Sequence, residues 1–210
     1  MGRALRRASI VWAGMGVGLL AGADEPSTAT LRDGFEGPKS AWRQEETDTT
    51  VDLLAHDRTD RARRGGTRSE HFKFVAKPGS TLFYSYKMPN LPIGPELGAS
   101  VYVRSNQSGL QLLGRVVLPA DKDPETGETS FVTIQGSTSD MPDRWQKLTL
   151  SDLPGAVERQ ARILRSGPGE RAVKLAGAYL ERLVLNLYGG PGEAEVFVDD
   201  LVFNCVSLAQ

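Results

Sequence analysis

The side chains best suited to recognising a ligand sit at alternate positions along extended runs of the 210-residue chain. Tyr102 and Arg104 alternate with Val101 and Val103. Asn186 and Tyr188 alternate with Leu183, Leu185 and Leu187, and Gln111 and Arg115 share a third run. Two aromatic rings, two guanidinium donors and an amide suit a hydroxyl-rich or uronate-bearing ligand, because Arg pairs a carboxylate through two parallel hydrogen bonds. If these strands are neighbours, Tyr102, Arg104, Arg115, Asn186 and Tyr188 form one concave polar patch, which Arg68 and Glu70 could join. The competing reading is a salt-bridged sheet face that binds nothing, with Trp42 and Trp145 in the core.

Other chemistries find no support in the residue pattern. Serine-nucleophile elbows, phosphate loops and metal-binding His motifs are missing. Two His and one Cys leave too few N and S ligands for a zinc site. Cys205 is the single cysteine, so no intrachain disulfide forms. Many acids are present, but nothing singles out a glycosidase carboxylate pair. The 25 Lys and Arg stand against 26 Asp and Glu. A nucleic-acid or anionic-membrane partner would require a basic excess. The expectation is therefore a domain without enzymatic activity.

Positioning such a patch requires a sheet, and the chain is punctuated accordingly. Runs of β-type residues recur between Gly, Pro, Asn and Asp, the pattern of a two-sheet antiparallel sandwich. Predicted strands cover 34–36, 42–46, 51–56, 68–75, 81–87, 99–104, 110–118, 131–134, 145–150, 183–188 and 195–203. Leu183, Leu185 and Leu187 are expected to face the core. One helix is predicted over about 154–165, with Pro154 in its first turn and Val157, Ala161 and Leu164 on one stripe. Asp121 to Glu128 reads as a hairpin loop with Gly127 at positive φ.

The first 23 residues read as a secretory signal peptide. Arg3, Arg6 and Arg7 precede an uncharged apolar run to Leu20, and Ala21-Gly-Ala23 fits a small-x-small cleavage rule. That run is shorter than the roughly 20 residues of a membrane span, so no membrane association is expected after cleavage. Loss of three Arg leaves 22 basic residues against 26 acidic ones. Residues 24–30 are expected to be a linker and 31–205 an exported domain, periplasmic or extracellular.

Both ends of this domain carry a family resemblance. Asp33-Gly-Phe-Glu-Gly-Pro followed by Trp42 resembles the opening of the galactose-binding-like jelly rolls typified by carbohydrate-binding modules. Asp143-Arg-Trp-Gln-Lys-Leu148 and Tyr188-Gly-Gly-Pro-Gly-Glu-Ala-Glu-Val-Phe-Val-Asp-Asp-Leu-Val-Phe203 are similar to their later strands. The resemblance implies an all-β jelly roll and a polysaccharide or envelope-glycan partner. It also implies a structural calcium where first and last strands meet, held by Glu36 and by Asp199 or Asp200. Two Asp closing the run Val196-Phe-Val198 need a partner on any reading, which an Arg would also supply. Thr67-Arg-Ser-Glu-His71 faintly resembles a strand of jelly-roll polysaccharide lyases, without the further His and Tyr strands such a site requires. Three functions follow: a glycan-binding module, a structural or protein-interaction module, and a lyase.

Overall fold

The computed structural model describes residues 28–166 and 172–206, so the signal-peptide reading of residues 1–23 lies outside the described residues. Eleven strands and one helix follow in order: β1 (Thr28–Asp33), β2 (Arg43–Thr47), β3 (Val51–Thr59), β4 (Ser69–Ala76), β5 (Leu82–Pro92), β6 (Gly98–Ser105), β7 (Gln111–Lys122), β8 (Thr129–Thr138), β9 (Gln146–Leu150), α1 (Leu153–Arg165), β10 (Tyr179–Asn186) and β11 (Gly192–Val206). They build two antiparallel sheets. One has the order β3-β4-β11-β6-β9, with β1 also pairing β11; the other has the order β2-β5-β10-β7-β8. This is the all-β two-sheet sandwich expected of the sequence.

Period-two patterning explains how the sheets meet. Leu183, Leu185 and Leu187 are all fully buried, as expected, and pack with Leu82, Tyr84, Leu112, Val116 and Ile134 from the same sheet. The facing sheet contributes Phe72, Phe74, Val101, Val103, Val196, Val198, Leu148 and Leu150. Gly114 occurs where β7 faces the core because a Cβ there would come within 2.6 Å of the Leu150 side chain. Trp42 is fully buried, whereas Trp145 is only partly so.

Several strands run longer than expected, among them β5 to Pro92, β8 over Thr129–Thr138 and β10 from Tyr179, and two differences change the opening of the domain. β1 begins at Thr28, inside the segment assigned to a linker, because residues 28–33 pair with Val206 through Leu201. Residues 34–36, expected to be a strand, instead leave the sheet. Asp33 accepts a hydrogen bond from the Phe35 amide (2.8 Å), and Phe35 adopts φ +56 with its ring buried. The helix and the hairpin loop follow the sequence closely. α1 starts at Leu153 with Pro154 in its first turn, buries Leu153, Ala156, Val157 and Ala161, and carries Arg162 and Arg165 in its last turn, where cations complement the helix dipole. Gly127 has φ +71, and Asp123 and Glu128 close the loop through a 2.8 Å backbone bond.

Candidate functional site

The outer face of the β2-β5-β10-β7-β8 sheet holds a groove. Residues between the core-facing ones point outward, so Phe83, Val184, Leu113, Arg115, Phe131 and Thr133 lie side by side. Val184 pairs with Leu113, and Arg115 with Thr133. Together with Glu45, Thr47, Asp48 and Thr81 they line a cavity of about 400 Å³. Phe131 is 49% exposed, and the Arg115 guanidinium lies 3.8 Å from its ring centroid, a cation–π contact that holds both in place. The Arg115 Nε is 3.4 Å from Glu181, without the alignment of a hydrogen bond.

The rim is polar and tied down. Burial works to raise the Glu45 carboxyl pKa, but hydrogen bonds from Ser85 and Arg182 outweigh it and leave the group below the ordinary carboxylate range. Arg182 bridges Glu45 and Glu181. Asp48 accepts from the Ser80 hydroxyl and from the amides of Ser80 (2.9 Å) and Thr81 (2.7 Å). Those bonds hold its carboxyl far below its usual pKa. The floor is therefore apolar and aromatic, and the walls carry fixed acids, hydroxyls and one guanidinium.

Of the five residues expected to share one patch, only Arg115 lines this groove. The five do not share a face, because β6 pairs with β11 and β9, whereas β7 and β10 pair with each other. Tyr102 and Arg104 therefore belong to the opposite sheet, where the Arg64 guanidinium covers the Tyr102 ring at 3.6 Å. Asn186 uses its side chain internally: Oδ1 accepts from Leu82 N (2.9 Å) and Tyr188 N (3.2 Å), and Nδ2 donates to the Ser80 carbonyl (3.1 Å). The Tyr188 hydroxyl accepts from the Gly79 amide at 3.0 Å, and its ring packs against the core. Glu70, read as a member of the polar face, points into the core. Sequence reasoning missed Phe131, Phe83, Glu45 and Asp48. The available signal was Phe131, an aromatic alternating with the core residues Val132 and Ile134.

The three acids that the resemblance assigns to calcium do gather on one loop, residues 64–67. Asp199, fully buried, takes the amides of Arg64 (2.7 Å) and Gly65 (3.1 Å) on Oδ2 and that of Asp200 (2.7 Å) on Oδ1. Burial pushes its pKa up, against the pull of those N–H groups. Asp200, at φ +49, binds the Arg64 guanidinium at 2.7 Å. Both Glu36 oxygens accept from the Thr67 amide (2.9 and 3.0 Å), and Oε2 also from its hydroxyl, which lowers the Glu36 pKa. Calcium takes six to eight oxygens. Here N–H, O–H and guanidinium donors already engage both oxygens of Glu36 and of Asp199 and one oxygen of Asp200. No group of three or more His, Cys, Asp or Glu among the described residues can hold a metal. As it lies, this donor set does not fit calcium.

The lyase strand does not assemble either. His71 faces outward between Asp57 (3.0 Å) and Glu195 (3.0 Å), stacked on Phe197, while Arg68 lines a different depression with His56. No helix among the described residues is long and apolar enough to cross a membrane.

No protein-family model matches this sequence, and neither does any curated protein. The chain is similar to solved carbohydrate-binding modules. One is the CBM22-1 xylan-binding domain of Paenibacillus barcinonensis Xyn10C, at 16% identity and TM-score 0.46, covering 85% of this chain and 95% of that one. A family 11 module from a Clostridium thermocellum cellulosomal cellulase has 12% identity and TM-score 0.48, covering 89% and 98%. A third is the CBM22-1–GH10 part of a C. thermocellum endo-1,4-beta-D-xylanase complexed with xylohexaose. It has 15% identity and TM-score 0.48, with 83% of this chain spanning 28% of that one. At such identities residue roles are not transferable, because function resides in sites and not in folds.

Proposed function

We propose that this chain is an exported, non-catalytic carbohydrate-binding module that holds a neutral glycan in the groove over Phe83, Leu113 and Val184. The observation that carries the reading is Phe131, half-exposed and clamped by Arg115 at the rim of a cavity with an apolar floor. Sugar rings have apolar faces that pack on aromatic carbon, and their hydroxyls need fixed donors and acceptors nearby. Glu45, Asp48, Thr47, Thr81 and Thr133 supply these at the walls. Two acids against one Arg favour an uncharged polymer over a uronate. A cavity of about 400 Å³ lies in the size range of small-ligand sites, enough for a short stretch of chain.

Affinity electrophoresis through gels containing xylan, β-1,4-galactan or mixed-linkage glucan tests the proposal. Retardation by one of these polymers, lost in Phe131→Ala, is the expected result. Equal mobility in every gel would overturn it. Export follows from the N-terminal Arg and apolar pattern, and N-terminal sequencing of secreted protein should begin at Asp24.

A further inference from the structure

The opposite face of the sandwich carries a second depression whose chemistry differs from that of the groove. Arg32 on β1, Ser100 and Tyr102 on β6, Lys147 on β9, Asn204 on β11 and Arg64 from the β3–β4 loop line a hollow of about 440 Å³. Strand pairing brings them together. Arg32 and Ser100 both lie opposite Val202, and Lys147 is opposite Tyr102.

Three cations thus converge on one concavity, and its two carboxylates are already engaged. Asp200 is bound to Arg64 at 2.7 Å. Asp33 accepts from the Phe35 amide (2.8 Å) and the Tyr86 hydroxyl (2.9 Å). Arg64 is fixed at two points, on Asp200 and over the Tyr102 ring at 3.6 Å, so its remaining donors are held ready instead of sweeping through solvent. Arg32 and Lys147 are exposed and make no ion pair among the described residues. Asn204 Oδ1 accepts from Thr30, and its amide N–H groups meet no acceptor among the described residues.

We propose that this hollow is a second binding site that takes the carboxylate or sulfate group of an acidic polysaccharide. Arg64 meets the oxyanion through its planar fork and Lys147 and Arg32 act as point charges. Ser100 and Asn204 bond the adjoining hydroxyls. Ser100 and Asn204 favour a polysaccharide, whose acid groups are flanked by hydroxyls, over a deoxyribose-phosphate backbone, which offers them none. The site is independent of the groove: a module with both would hold a neutral strand on one sheet and an acidic strand on the other.

The test is affinity electrophoresis and calorimetry with sodium polygalacturonate, dextran sulfate and uncharged dextran. Wild type should bind one or both acidic polymers and not dextran. Binding should weaken steeply with salt, as the Debye length falls from about 30 Å at 0.01 M to about 8 Å at 0.15 M. The double variant Arg32→Glu, Lys147→Glu should lose about tenfold or more in affinity with an unchanged melting temperature, since both side chains are exposed and unpaired. Arg43→Glu with Lys87→Glu, the same charge change on the other sheet, should bind as wild type. Retention of both acidic polymers by the Arg32, Lys147 variant would overturn the proposal, as would no retention by wild type or tighter binding to single-stranded DNA. None of these results bears on the neutral-glycan groove, which Phe131→Ala reports separately.

Discussion

Replacing Glu70 with Ala should be among the most damaging single changes in this domain, although its position in a β-run reads as a solvent-facing polar residue. The carboxylate is fully buried on the core face of β4. It accepts the amides of Ala41 (3.0 Å) and Trp42 (3.1 Å), contacts His56 Nε2 at 2.7 Å and lies 3.3 Å from Arg58. The Arg58 side chain is 5% exposed and that of His56 16%. Burial and the Glu70 charge push the nearby Tyr84 hydroxyl up to about 12. Removing one partner of a buried ion pair costs about 3–5 kcal/mol, because the other charge remains without compensation. The buried Trp42 amide that loses its acceptor costs about 1–3 kcal/mol, and the part-buried Ala41 amide adds to it. These penalties overlap, so about 5 kcal/mol, below the middle of their sum, is the expected loss against a total stability of about 5–15 kcal/mol. At about 2–4 °C per kcal/mol for a domain of this size, the melting temperature should drop by about 10–20 °C. Glu70→Gln, which keeps the shape and one acceptor oxygen, should lose less. Thermal unfolding followed by near-UV circular dichroism measures both. A melting temperature for Glu70→Ala within about 2 °C of wild type would refute the reasoning, since Glu70 could then neither be compensating Arg58 nor be tying the 41–42 amides, just before β2, to the opposite sheet.

Three further outcomes follow. Leu185→Asp places an unpaired charge where Leu185 is fully buried and should cost several kcal/mol, or abolish folding, as read by denaturant melts; a wild-type midpoint would reverse the face assignment. Because N–H groups and Arg64 already engage Glu36, Asp199 and Asp200, a chelator should leave the melting temperature unchanged. A fall reversed by added calcium would show that a metal holds these acids. Hydrogen bonds hold the carboxyls of Glu36, Glu45 and Asp48 below the ordinary carboxylate range in the folded protein, so their contribution is present above that range and is lost as pH falls through the lowered values. Asp199, raised by burial, works in the opposite direction, being relieved on protonation. With three groups against one, melting temperature should decline below about pH 4.5; a rise there would contradict the assignment.

Much of the architecture was legible because alternation is a local signal. Leu183, Leu185 and Leu187 declare a core face, and Pro154 with Val157 and Ala161 declares a helix, without knowledge of any partner strand. Which strands become neighbours is not local. Tyr102 and Arg104 alternate as cleanly as Arg115 does, yet β6 joins β11 while β7 joins β10. No residue in either run records that choice. Glu70 shows the other blind spot. A charge in an alternating run reads as exposed unless the reader knows that His56, Arg58 and two amides will meet it. Phe35 at φ +56 is a third case, since its turn depends on Asp33 reaching its amide. Asp199 and Asp200 were correctly read as needing partners. Those partners proved to be the 64–65 amides and the Arg64 guanidinium, 135 residues away in sequence.

The most direct test of the account compares Phe131→Ala with Tyr102→Ala in calorimetric titration against whichever neutral polysaccharide wild type binds. Phe131 offers its half-exposed ring to the groove, so its removal should lower affinity about tenfold, or about 1.4 kcal/mol. Tyr102 lies on the opposite sheet beneath Arg64, so its removal should leave that affinity at the wild-type value. Loss of neutral-glycan binding in Tyr102→Ala with full binding in Phe131→Ala would contradict the account and move the site to the other face.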